Sequence, residues 1–205
     1  MFTLNIPTTM NALMAWHIPI FTHEKYKVDK FSPNLIFEFV AEMAGLKVRD
    51  IEHCDAIDIA HGFTLIQKAM TELNTTAAVM SNNKPPKQIK IDGHEFQLVD
   101  LSRPSVGFVV DYAAMNGKID ALRLAAMCYI PKGSVYGETK EHEIIKYPID
   151  ERIELFRKHY TALDYMVLNT FFLRSFKSLA TSQSKKKKAK MTSRQSLTFR
   201  NGSLQ

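Results

Sequence analysis

The stretch QIKIDGHEFQL, residues 88–98, decides the fold class. Ile89 and Ile91 alternate with polar residues, Asp92-Gly93 follows, and Phe96, Leu98 and Val99 resume the apolar pattern. A period of two is the signature of a half-buried strand. Asp-Gly accepts positive φ at both central positions of a type I′ turn, whose twist matches the flanking strands. The reading is an antiparallel hairpin over 88–99.

Outward from the hairpin the period changes to that of helices. Ser32-Pro33 opens the first, with serine as N-cap and proline where its missing N–H costs nothing. Ile36, Phe39, Val40 and Met43 then recur at helical spacing, and Gly45 supplies the C-cap. Ile59, Phe63, Ile66, Met70 and Leu73 lay one stripe on a second helix. Asn74 to Lys87, with Pro85-Pro86, reads as a loop. Ser105 caps a short helix whose stripe is Val106, Val109, Val110 and Ala113, ended by Asn116-Gly117. Ile119 to Ile130 is a further helix, halted by Pro131, and residues 131–147 form a loop. Asp150 caps a helix carrying Ile153, Phe156 and Tyr160. Thr161 with Asp164 forms a capping-box variant for the last helix, with Leu168, Phe171, Phe172, Phe176 and Leu179. At the other end, Phe2, Leu4 and Ile6 alternate with polar residues, so two short N-terminal strands are expected, separated by a turn or short helix. The fold class is therefore α+β: a mostly helical single domain with a small antiparallel hairpin and short N-terminal strands, followed by a basic C-terminal tail.

The charge pattern locates the tail. Of 27 lysines and arginines, seven lie in residues 181–205, which hold no acid. Residues 1–180 carry the remaining 20 against 21 acids, so the sequence pI of 9.2 belongs to the tail. A body this close to neutral has no long-range field favouring nucleic acid. The domain is expected to span 1–180, with 181–205 an extended tail too poor in apolar residues to offset its ordering entropy. Candidate partner or polyanion contacts are Lys185, Lys186, Lys187, Lys188, Lys190, Arg194, Phe199 and Arg200. Five lysines in six residues suit phosphates. With Leu197, Phe199 and Leu204 they also suit a peptide that docks on a protein, the lysines steering the encounter.

Other chemistry is sparse. With 45% hydrophobic residues and two cysteines, wholesale disorder and a disulfide scaffold are excluded. Cys54 and Cys128 read as free thiols of a reducing compartment. The N-terminus lacks the basic and apolar regions of a signal peptide. No stretch reaches the roughly 18 apolar residues of a membrane span, since Ala162–Leu173 contains Asp164 and Asn169. A soluble, intracellular protein with no membrane contact is expected. His53-Cys54 lacks two further ligands at metal spacing. Asp55 with Asp58, and Glu151 with Glu154, sit opposite the apolar stripes and read as solvated helix surface. His142, between Glu141 and Glu143, reads as a solvated loop residue. Gly133 and Gly137 make a turn rather than a phosphate loop, and no GxSxG elbow occurs. No catalytic residue, metal or cofactor is assigned.

Several segments taken in order resemble a known group. They are Leu4-Asn5-Ile6-Pro7-Thr8, the hairpin leading into Asp100-Leu101-Ser102, Ala125 to Gly133 with Ile130-Pro131-Lys132-Gly133, and Asp150-Glu151-Arg152 with Phe156 and Phe171-Phe172. This order, over roughly residues 1–180, resembles small tail-region proteins of tailed bacteriophages, of the tail-assembly-chaperone or baseplate-assembly type. The first helices do not follow that pattern, and the lysine run has no counterpart in it. The resemblance implies a non-enzymatic virion-assembly or virion structural protein. Its partners would be other phage structural proteins or further copies of itself, in the host cytoplasm during assembly and then in the virion. The alternative is a nucleic-acid-binding accessory protein that uses the lysine-rich tail.

Overall fold

The hairpin forms where the sequence places it: β1 (Gln88–Ile91) pairs antiparallel with β2 (His94–Leu98), with Ile91 opposite His94 and Ile89 opposite Phe96. Asp92 and Gly93 both have positive φ, 49° and 82°. The computed structural model describes residues 4–115, 120–134 and 149–176. A third strand, β3 (Tyr129–Pro131), joins the other side of β2 to give the sheet order β1-β2-β3. The expected helix 119–130 therefore stops early. Pro131 disfavours helical backbone at Ile130, and Tyr129 and Ile130 are side chains that suit a pleated, buried surface.

Eight helices accompany the sheet among the described residues. They are α1 (Ile18–Phe21), α2 (Pro33–Met43), α3 (Val48–Ile51), α4 (Ala56–Val79), α5 (Val106–Ala114), α6 (Ala121–Cys128), α7 (Ile149–His159) and α8 over 162–176. Their caps follow the sequence closely. Ser32 Oγ accepts from Leu35 N–H at 3.3 Å, Ser105 Oγ from Phe108 N–H at 3.2 Å, and Thr161 Oγ1 from Asp164 N–H at 3.1 Å. Gly45, at φ +69°, lets Leu46 N–H reach back to Ala41 carbonyl at 2.8 Å and close α2.

Two boundaries move. α4 continues past Asn74 to Val79 and then tightens over Met80–Asn82. The prolines that break it begin only at Pro85, and Thr75 Oγ1 donates to Thr71 carbonyl at 2.9 Å within the extra turn. Asp150 lies inside the first turn of α7 rather than at its cap, where its charge still complements the helix dipole.

The N-terminal strands do not form among the described residues. Met10–Ala12 and Ala15–His17 are single 3₁₀ turns, and Pro19 sits in the first turn of α1. Leu4 and Ile6 pack on the helical core instead of a sheet, and Ile6 Cδ1 lies 2.5 Å from where a Cβ on Gly62 would stand. The one strand-like feature is an isolated antiparallel bridge of Met14 with Thr161. Ala15 N–H donates to Tyr160 carbonyl at 2.9 Å and Ala162 N–H to Leu13 carbonyl at 2.8 Å.

That bridge joins two hydrophobic clusters. One gathers α2, α4 and Leu13 around Phe39, Ile59 and Ile66, with Ala162 from α8. The other packs the sheet against α5, α6, α7 and α8 around Phe96, Phe108, Phe156 and Phe172. His17, beside the bridge, is buried and stacked on Trp16. Its Nδ1 accepts from Met14 N–H at 2.8 Å, so Nε2 carries the proton and donates to Met43 carbonyl at 3.1 Å. The N-terminal segment is thereby tied to the end of α2 and to the α7–α8 junction.

Candidate functional site

α5 is where the structure departs most usefully from the sequence pattern. Its apolar residues cover two faces, and tertiary packing selects the aromatic one. Phe108 and Tyr112, one turn apart, point inward. The Phe108 ring lies 6.1 Å from Phe172 and the Tyr112 ring 4.8 Å from Phe172 and 5.3 Å from Phe176. The stripe expected from the sequence is turned to solvent: Val106, Val109 and Val110 are 81%, 42% and 58% exposed, and Ala113 is exposed with them.

The outward face is costly to leave bare. Three β-branched residues lose side-chain freedom in a helix and, at 42–81% exposure, receive only partial packing in return. Covering one valine fully is worth roughly 1.5 kcal/mol or more. Among the described residues, exposed large apolar side chains elsewhere stand singly, as Ile57 and Val79 do at the two ends of α4. Scattered residues of that kind are ordinary surface, whereas a grouped face marks a contact site. α5 carries a single charge, Asp111, and an uncharged apolar face is the anatomy of an interface centre.

A cavity of about 270 Å³ adjoins the start of α5, with Leu98, Val99, Phe108 and Ile130 in its wall and Asp100 and Arg103 beside them. The hydroxyl and backbone N–H of Ser102 hold the Asp100 carboxyl below its usual pKa, so it is ionised at neutral pH. The recess meets α5 at its cap Ser105 and at the inward-facing Phe108, and none of the three exposed valines lines it.

A second, larger cavity of about 500 Å³ lies between the N-terminal segment and the start of α4. His53, Cys54, Asp55, Asp58 and His61 line it, over Leu4 and Ile6. The sequence offers His53-Cys54 and Asp55 with Asp58 as separate weak pairs and does not single out His61; the Asp58–His61 spacing of about one helical turn is the signal that could have joined it to them. Asp55 is occupied as the α4 cap, its Oδ1 accepting from Ile57 N–H at 2.8 Å. Among the described residues no three His, Cys, Asp or Glu side chains gather to hold a metal ion.

The remaining candidates resolve simply. Cys54 is half-buried and Cys128 buried, both as free thiols. Burial raises the pKa of Cys128, Tyr129 and Tyr160, keeping all three protonated in the core. Tyr129 donates to Pro86 carbonyl at 2.9 Å, a structural tie to the hairpin. Glu151 and Glu154 are exposed on α7, with Glu154 3.3 Å from Arg157. Apolar residues of α8 serve the core, with Leu168 and Phe172 fully buried. No described helix is long and apolar enough to cross a membrane. The sequence-derived contacts Lys185, Lys186, Lys187, Lys188, Lys190, Arg194, Phe199 and Arg200 lie outside the described residues, as do Asn116-Gly117, His142 and Leu179.

Compared with known proteins, the chain matches no family model, no curated protein and no solved structure.

Proposed function

We propose that this protein acts by binding another protein through the outer face of α5, as a non-enzymatic assembly factor. The observation that carries the reading is the outward stripe of Val106, Val109 and Val110 on a helix whose aromatic side already serves the core. Such a face gains free energy only when a second surface covers it. The resemblance of residues 1–180 to phage tail-region proteins supplies the setting: virion assembly in the host cytoplasm, with another phage structural protein or a further copy of the chain as partner.

The basic tail favours a second reading, in which Lys185 to Lys190 hold nucleic acid. Two variants separate them. Val106→Asp with Val110→Asp should fold normally yet fail to join assembling particles, as read by mass spectrometry of particles purified from infected cells. Replacing the five lysines with glutamine should weaken salt-dependent DNA retention in the second reading only. Particle incorporation that survives the aspartates, with DNA retention lost in the glutamine variant, would replace the protein-docking reading.

A further inference from the structure

β1 pairs along one edge only. The turn closes on Ile91 and His94, and Leu98 N–H donates to Lys87 carbonyl at 2.8 Å, so the ladder bonds of this segment to β2 fall at Ile91, Ile89 and Lys87. Lys90 lies opposite Glu95, whose carbonyl accepts from Lys132 N–H at 3.0 Å on the β3 side. By the same alternation the N–H and carbonyl of Lys90, and of Gln88 two residues before it, point away from β2. Among the described residues nothing pairs with those groups, and both residues are exposed. An edge of this kind is a template for a further strand.

A recess of about 290 Å³ opens along that edge. Ile89, Lys90 and Ile91 line it, and no residue of β2 does. Tyr129 and Tyr160 add aromatic wall, with Asp164 beside them. Tyr129, from β3, reaches the β1 side of the sheet, its hydroxyl donating to Pro86 carbonyl at 2.9 Å. Side chains of an added strand alternate between the two faces, so one of them can enter the recess while the backbone pairs with β1.

The surroundings are basic. Lys84, Lys87 and Lys90 are exposed along the chain leading through β1, and Lys158 and His159 are exposed at the end of α7. Glu95, across from Lys90, is held by Lys132 at 2.7 Å. Among the described residues Asp164 is the one acid lining the recess, and its carboxylate already accepts from the Thr161 hydroxyl at 2.6 Å. Asp92 stands beyond the strand, in the turn. The acids of an incoming segment therefore fit beside the lysines, and an apolar side chain fits the recess. Lysines on an edge also oppose pairing between copies, because two β1 edges would set like charges along one ladder.

We propose that the free edge of β1 takes up an extended, acidic segment of another protein as a further strand, with one apolar side chain seated against Ile89, Ile91 and Tyr129. This surface contains no residue of α5, and the proposal stands or falls without the α5 reading.

The test titrates two fluorescent peptides into the full chain and follows anisotropy. One is Asp-Glu-Thr-Val-Phe-Val-Thr-Asp-Glu, and in the other lysine replaces each acid. The acidic peptide should bind roughly tenfold tighter at low salt, and added salt should narrow the difference. Nuclear magnetic resonance should show it slowing amide exchange at Gln88 and Lys90, whose N–H groups gain partners, with Ile89 and Ile91 unchanged. Lys90→Pro deletes an N–H that β2 does not use, so the hairpin should still fold while binding falls roughly tenfold. Lys90→Gln keeps that N–H and should lose only the salt-dependent part. Should the proline variant fail to fold, the exchange measurement on unaltered protein decides alone. Equal affinity for the two peptides, no binding at millimolar peptide, or binding without new protection at Gln88 and Lys90 would each overturn strand addition. Val106→Asp with Val110→Asp should leave peptide binding intact; its loss there would assign the peptide to α5 and overturn the proposal.

Discussion

Gly93 is the position where the cost of a single substitution can be worked most directly. Its φ is +82°, and a Cβ built on it meets no atom within 4 Å. Any penalty is therefore backbone strain alone. An L-residue in left-handed backbone costs roughly 1–2 kcal/mol. Removing glycine's freedom from the unfolded chain returns about 0.4–1 kcal/mol. Gly93→Ala should then destabilise by about 0.5–1 kcal/mol. Gly93→Val should cost more, about 1–2 kcal/mol, because β-branched residues resist positive φ most. Gly93→Asn should be nearly neutral, since asparagine visits this region readily. For a chain of this size 1 kcal/mol moves the melting temperature by about 2–4 °C. Thermal unfolding followed by far-ultraviolet circular dichroism should rank the variants glycine, asparagine, alanine, valine. Asparagine as damaging as valine would refute the backbone argument, and no change in any variant would refute the hairpin's part in the fold.

Three further predictions concern the core and its junction. Burial holds His17 below its ordinary pKa of 6.5, against the opposing pull of its bonds to Met14 and Met43. The unfolded chain therefore takes up the proton first, and stability present above about pH 6.5 is lost as pH falls towards the folded pKa. Urea unfolding between about pH 7 and pH 5 should show that loss in the wild type and a shallower one in His17→Gln. Leu13→Ala removes a fully buried side chain beside the bridge to Thr161 and should cost about 3 kcal/mol in urea unfolding; a loss below about 1 kcal/mol would mean the site collapses around the gap. Cys54 should react with a thiol probe in the native protein and Cys128 only after denaturation, both without reductant; a native reaction at Cys128 would show that α6 opens.

The parts of the fold legible in the sequence are those set by local chemistry. Asp92-Gly93 names its own turn, and Ser32, Ser105 and Thr161 cap their helices within three residues. β3 was hidden because Tyr129 and Ile130 continue an apolar run, and a short buried strand has no period distinct from a helix end. The N-terminal alternation misled for the opposite reason. Its period of two is real, but the neighbour it meets is Gly62 of α4 rather than a strand. The α5 face is visible in the sequence as a stripe, but its orientation is not. Phe172 and Phe176, about 60 residues away in sequence, decide which side turns inward. The large cavity depends equally on distant segments, because Leu4 and Ile6 complete what His53 to His61 begin.

The central claim, that the outer face of α5 receives another protein, is tested most directly by a photo-reactive residue placed at position 110 in infected cells. Position 68, exposed on α4, is the control. Position 110 should cross-link to one discrete protein that mass spectrometry identifies as a virion component or a second copy of the chain, and Val106→Asp should abolish that product. Cross-links of the same yield and pattern from both positions, or a product from position 110 that survives Val106→Asp, would contradict it.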